Sequence, residues 1–205
     1  MLGNGGPRIL EDGTATAGGR GYFGTVQGGC DYQFGLGSYN LVVGAFGDYD
    51  FSSLKGKLNP PGSPLIGDEK MSSAWSVGGR AGWLVTPNLL TYFSAGYTEA
   101  AFDRVNFTFN SAPGIGLPAD LFMGNRTYKG YFIGAGDEYA LSFLPGLFWK
   151  TEYRFSTFDT RTNPLFDATT GARTIDSLDS KKWVQTIRSE LVYRFNWGGP
   201  VVAKY

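Results

Sequence analysis

Residues 183–197 read Trp183-Val184-Gln185-Thr186-Ile187-Arg188-Ser189-Glu190-Leu191-Val192-Tyr193-Arg194-Phe195-Asn196-Trp197. The odd positions are mostly apolar, with Trp183, Ile187, Leu191, Tyr193, Phe195 and Trp197 around Gln185 and Ser189. The even positions carry Thr186, Arg188, Glu190, Arg194 and Asn196, with Val184 and Val192 among them. Successive side chains of an extended chain point to opposite faces. The alternation therefore predicts a strand with one apolar and one polar side.

Working outward, the same period recurs in segments near 20–34, 40–54, 71–86, 89–104, 127–141 and 147–158, which makes seven readable strands with 182–197. Tyr22, Val26, Cys30, Tyr32 and Phe34 oppose Thr25, Gln27, Asp31 and Gln33. Trp75, Val77, Ala81, Trp83 and Val85 oppose Ser76, Gly78, Arg80 and Gly82. Leu147, Trp149, Tyr153 and Phe155 oppose Lys150, Glu152 and Arg154.

Composition agrees with an all-β chain. Of 205 residues, 31 are Gly, and Phe, Tyr and Trp number 16, 12 and 5. These residues are mediocre in helices and suit twisted strands and tight corners. Charged residues are 18% of the chain and the formal net charge is zero, so no basic surplus points to nucleic acid. The chain has no His, which removes the commonest general base and argues against an enzyme. Cys30 is the only cysteine and forms no intramolecular disulfide. No run of about 20 apolar residues is present to make a transmembrane helix.

The polar side is narrow, with Gly and Ser among scattered opposite charges. The basic members are Arg80, Lys150, Arg154, Arg188 and Arg194. The acidic members are Asp31, Asp48, Asp50, Glu138, Glu152 and Glu190. The other side carries aromatics toward the strand ends, with aliphatic residues between. Tyr22, Tyr32, Trp75, Trp83, Tyr97, Tyr131, Tyr139, Trp149, Tyr153, Trp183, Tyr193, Phe195 and Trp197 form this expected girdle. Small and charged residues suit an enclosed interior, and aromatic girdles around an aliphatic band suit lipid. The pattern predicts an antiparallel up-and-down transmembrane β-barrel. Period-two alternation alone also allows a soluble antiparallel sandwich or a lipocalin-like carrier with a dry interior. Asp137 falls on the lipid side by parity, so it is expected near an interface or beside a bulge.

The connections alternate short and long. Residues 35–39, 87–88 and 142–146 are short turns. The stretches near 55–70, 105–126 and 159–181 are long, rich in turn-forming residues, and expected as loops. Short periplasmic turns with long extracellular loops is the outer-membrane arrangement. Such a barrel needs an even strand number, so a signal peptide and one strand are expected before residue 1. Residues 1–19 are then the remnant of an extracellular loop, 20–197 the barrel, and 198–205 a periplasmic tail. The alternative is a stunted strand at residues 5–12.

Several short motifs carry no chemistry. Asp48-Tyr49-Asp50 puts two carboxylates on one side of a strand, but without a third ligand it reads as inner wall. Gly78-Gly79-Arg80 and Gly134-Ala135-Gly136 are followed by no helical pattern and are not nucleotide loops. No metal site and no cofactor are expected.

Gly78-Gly79-Arg80-Ala81-Gly82-Trp83-Leu84-Val85-Thr86-Pro87-Asn88, Ser94-Ala95-Gly96-Tyr97-Thr98, Lys150-Thr151-Glu152-Tyr153-Arg154-Phe155 and the closing Ser189–Phe195 resemble the small eight-stranded outer-membrane proteins of alphaproteobacteria. This is the porin-family or immunogenic, opacity-like group, and the resemblance covers about residues 20–205. It implies a cell outer membrane of a Gram-negative bacterium, contacts with outer-membrane lipid and lipopolysaccharide, and recognition by barrel assembly machinery through the C-terminal strand. The implied role is structural, with surface loops for an unidentified ligand. The alternative is a narrow channel for water, ions or small solutes, in which interior pairs such as Arg80 with Glu138 or Glu152 exchange and act as a gate.

Overall fold

The computed structural model describes residues 16–59, 65–112 and 115–195. The proposed strand at 5–12, most of the 1–19 segment, Trp197 and the 198–205 tail lie outside the described residues. All described secondary structure is strand, in one antiparallel twelve-stranded sheet. The strands are β1 (Gly19–Arg20), β2 (Phe23–Leu36), β3 (Tyr39–Leu58), β4 (Leu65–Thr86), β5 (Leu89–Phe102), β6 (Val105–Ala112), β7 (Ile115–Met123), β8 (Arg126–Ala140), β9 (Leu147–Phe158), β10 (Arg161–Asp167), β11 (Arg173–Ser180) and β12 (Trp183–Tyr193).

Seven of them, β2, β3, β4, β5, β8, β9 and β12, pair in that order through continuous ladders. They correspond to the seven predicted segments. The register aligns outward residues into rows. One row runs Tyr32, Val43, Ala81, Phe93, Ala135, Tyr153 and Ile187 across all seven strands. A one-residue slip anywhere would exchange the two faces, so the alternation in sequence and the register specify each other.

The expected long loops are corrected. Residues 55–58 and 65–70 continue β3 and β4 as paired strands, β6 and β7 form a hairpin, and β10 and β11 form another. The cause is burial. Leu58, Val105, Phe107, Met123 and Leu165 come together as an apolar cluster, flanked by Leu65, Leu121 and Leu178. Turn-rich composition concealed these alternating apolar positions. The bulge between Phe51 and Leu54 in the β3–β4 ladder marks where this upper part begins, and above it Met71 and Glu69 take over the inward positions on β4.

The sheet is strongly curled. Side chains from strands far apart in the ladder order meet on its concave face: Lys150 Nζ of β9 donates to Gln27 Oε1 of β2 at 2.5 Å, and Arg188 of β12 reaches Asp50 of β3 at 2.7 Å. Yet β2 and β12 share no ladder among the described residues. A cleft of about 1420 Å³ separates them, bordered by Gln27, Gly28 and Asp31 on one side and Ile187, Arg188 and Leu191 on the other.

The convex face is the apolar one. Phe51, Phe93, Tyr131, Ile133, Ile187 and Leu191 are all more than half exposed, while Lys150, Glu152, Arg154 and Glu138 on the concave face are 1–2% exposed. Water-soluble folds distribute these residues the other way.

Candidate functional site: an ionic core and its aromatic jacket

The concave-side residues are delivered by parity. On β9, Lys150, Glu152 and Arg154 follow one another at every second position, so all three enter the interior. Arg188 and Glu190 on β12, Asp48 and Asp50 on β3, and Glu138 on β8 do the same. Every described interior residue expected from the sequence joins one of two networks.

The first is a four-membered ring near the short-turn end. Arg80 pairs with Asp31 and, at 2.9 Å, with Glu138. Arg194 pairs with the same two carboxylates at 3.2 and 2.5 Å. Glu138 is therefore held by two guanidinium groups. Of the two carboxylates named for Arg80, Glu138 is the one it contacts.

The second network is a chain. Glu190 contacts Lys150 at 2.9 Å, Lys150 contacts Glu152 at 3.6 Å, and Glu152 contacts Arg154 at 2.7 Å. Arg154 then reaches Asp48 at 2.9 Å, Asp48 faces Arg188 at 3.6 Å, and Arg188 reaches Asp50 at 2.7 Å. Hydroxyl groups add to it: Tyr92 donates to Glu152 at 2.8 Å and Thr25 to Asp50 at 2.7 Å. Buried charges persist only when paired and hydrogen-bonded in this way.

The interior is not limited to small and charged residues, which corrects the sequence reading. Phe46 and Phe132 project inward with their ring centroids 6.0 Å apart, and the Arg154 guanidinium lies 4.2 Å from the Phe132 centroid. An arginine over an aromatic face gains cation–π energy when desolvated. Glycine opposite Phe132 gives the ring its space, since a Cβ on Gly78 would lie 2.8 Å from Phe132 Cζ.

Above the ionic layer apolar residues predominate in the interior. Met71, Ala74, Ala100, Phe102, Tyr128 and Phe158 form a buried cluster at the hairpin end of β4, β5, β8 and β9. Glu69 with Arg126 and Lys182 caps it. At the short-turn end Val42, Leu90 and Tyr92 make a smaller cluster.

The outward aromatics all stand exposed where described: Tyr22, Tyr32, Trp75, Trp83, Tyr97, Tyr131, Tyr139, Trp149, Tyr153, Trp183, Tyr193 and Phe195. Tyr97 and Tyr131 are register partners toward the hairpin end, as are Tyr139 and Trp149 toward the short turns. Tyr32 and Tyr153 lie instead in the middle row, so the aromatics are not confined to two rings. Two of their polar tips are bonded to side chains of β12. Trp149 Nε1 donates to Ser189 Oγ at 2.9 Å, and Tyr153 Oη donates to Gln185 Oε1 at 3.0 Å. Gln185 and Ser189, the two polar interruptions on the outer side of β12, are thereby explained. Asp137 has no bulge beside it; it is exposed, next to the short-turn end, and accepts from Thr91 Oγ1 at 2.6 Å.

No family model matches this chain, and no curated protein does. Among the described residues no group of three His, Cys, Asp or Glu is placed to hold a metal ion. Asp48 and Asp50, the acid pair considered for that role, are instead the anchors of Arg154 and Arg188.

Proposed function

We propose that the protein is an outer-membrane β-barrel of structural, surface-presenting type. The observation that carries this reading is the inversion of its two faces. Eleven charged side chains on the concave side are matched to one another, while the convex side exposes mainly apolar and aromatic side chains, with Trp149, Tyr153 and Asp137 hydrogen-bonded to polar neighbours. Hydrocarbon demands that arrangement, because it offers no hydrogen bonds to exposed polar groups.

The seven long strands have 11–22 residues, enough for tilted crossing at roughly 9–11 each. In this reading an additional crossing strand, supplied from outside the described residues, pairs with both β12 and β2 and fills the cleft between them. The count then becomes eight. Free edges there would leave backbone groups unsatisfied at several kcal/mol each. An eight-stranded barrel has an interior just wide enough to be filled by side chains, which fits the packed ionic core. The short turns would face the periplasm, and the β3–β4, β6–β7 and β10–β11 hairpins the outside. The reading takes in the resemblance to small alphaproteobacterial outer-membrane proteins, with outer-membrane lipid, lipopolysaccharide and the barrel assembly machinery as the proposed partners. No catalytic role is assigned.

The narrow channel is the weaker reading. The apolar cluster around Phe102, Tyr128 and Phe158 lies across the hairpin end of the interior and opposes a water path. The test is refolding into detergent, followed by electrophoresis with and without boiling. A barrel migrates differently in the two lanes. A chain that folds fully without detergent and shows no shift would overturn the reading.

A further inference from the structure

Three cations stand side by side on the outward face above the bulge. Arg20 of β1 is the direct register partner of Lys55 on β3, and Lys55 is the direct partner of Lys70 on β4. Neighbours of this kind have Cβ atoms about 4.5–5.5 Å apart, and like charges so placed repel. Neither Arg20 nor Lys55 has a carboxylate within ion-pair reach among the described residues. Lys70 has Asp103 at 3.5 Å, in a pair whose side chains are both more than 40% exposed and which screens little. One step farther out, Lys57 lies opposite Asp68. Directly below the row come exposed rings: Tyr22 at 81% and Phe51 at 62%, with Tyr49 packed edge-on against Phe51.

The order along the strands is thus aliphatic, then aromatic, then cationic. Aromatic side chains mark the level of lipid headgroups, so the cations stand where headgroup phosphates would be. We infer that Arg20, Lys55 and Lys70 form a binding site for the phosphates of a phosphorylated glycolipid in the outer leaflet, with Tyr22 and Phe51 against its acyl chains. The inference rests on the membrane reading above. Bridging phosphates would remove the repulsion that the row otherwise carries, with each cation near an anionic surface contributing enough for roughly fivefold in affinity.

The experiment uses the full chain refolded in detergent. It is titrated with bisphosphorylated lipid A and, separately, with dephosphorylated lipid A, binding being read by native mass spectrometry. The phosphorylated lipid is expected to bind at least tenfold more tightly. Arg20→Ser with Lys55→Ser should weaken it roughly thirtyfold. Lys129→Ser, which removes a rim cation already beside Glu99 at 3.8 Å, should change it less than twofold. Lys55→Met serves as a second variant that keeps side-chain bulk. Equal binding of both lipids, indifference to the double variant, displacement by millimolar inorganic phosphate, or equal retention of phosphatidylglycerol would each overturn the site. The two failures separate cleanly: a protein that is heat-modifiable but blind to lipid phosphate loses only this site, whereas one that folds without detergent loses the membrane reading.

Discussion

Arg154 and Asp48, 106 residues apart in the chain, meet at 2.9 Å inside the curled sheet, and neither side chain is more than 1% exposed. Arg154 also holds Glu152 of its own strand at 2.7 Å, and through Asp48 the same guanidinium ties β9 to β3 across the interior. Removing one member of a buried pair leaves the other charge uncompensated, at a cost of about 3–5 kcal/mol. Arg154→Met is therefore expected to lower stability by about that amount in urea titrations of the refolded protein. Asp48→Asn on the same background should recover part of it. If Arg154→Met unfolds at the wild-type urea concentration, the ionic core is not what holds the interior together.

Gly78 tests the packing beside that core. An added Cβ there would lie 2.5 Å from the Ala95 carbonyl oxygen and 2.8 Å from the Phe132 ring, and the first of these is backbone that cannot step aside. At Gly28 the same atom would meet nothing within 4 Å. Gly78→Ala should cost about 1–3 kcal/mol by overpacking, and Gly28→Ala should be near neutral. The two are compared by the temperature at which the unboiled gel band converts to the boiled one. Equal transitions would mean that Phe132 does not occupy the space opposite Gly78.

The seven long strands and the two faces were legible because period-two alternation recurs in each of them: Lys150, Glu152 and Arg154 announce one side of β9, and Trp149 and Tyr153 the other. What escaped was the upper part. In 105–126 and 159–181, Gly, Pro, Asn and Thr are dense enough to suggest loops, and Val105 and Phe107 alternate too briefly to outweigh them. Pro118 sits within β7, where composition argues for a break. The inward aromatics escaped for a different reason. Phe46, Tyr92 and Phe132 share parity with Asp48, Ser94 and Glu138 and so face inward, but an expectation of small and charged residues on that side passed over large rings that cation–π contacts accommodate there. The partner of Arg80 could not be read from alternation either, since parity places Glu138 and Glu152 on one side without ranking them.

Asp167 closes the β10–β11 hairpin and carries a pH prediction outside the crossing segments. Its Oδ1 accepts from the Thr170 amide at 2.7 Å, the Thr170 hydroxyl at 3.0 Å and the Thr169 amide at 2.9 Å. Those donors, the Thr170 amide first, hold its carboxyl below the ordinary aspartate value. A depressed folded value means that the stabilisation is fully present above the ordinary carboxylate range and is lost as pH falls through the folded value. The Thr169 and Thr170 amide resonances should therefore keep their neutral-pH positions to lower pH than a free aspartate allows. Asp167→Asn should abolish the titration. A midpoint at the ordinary aspartate value would remove the claimed hydrogen bonds.

Conductance decides between a sealed wall and a pore. Of the two ends of the interior, the hairpin end holds the buried cluster of Phe102, Tyr128 and Phe158, with Tyr128 and Phe102 packed edge-on at 5.3 Å. The short-turn end holds the ring of Arg80, Asp31, Glu138 and Arg194, in which Arg194 is 32% exposed. Exchange within that ring could admit water from one side only, since the apolar cluster lies beyond it. Planar-bilayer recordings on the wild type should accordingly show no discrete openings, and Glu138→Ala and Arg80→Ala should stay silent. The informative variant is Phe102→Ser with Tyr128→Ser, which hydrates the cluster and should produce small, brief openings if that layer is the seal. Openings in Glu138→Ala alone would instead make the salt-bridge ring the gate and favour the channel reading over the structural one.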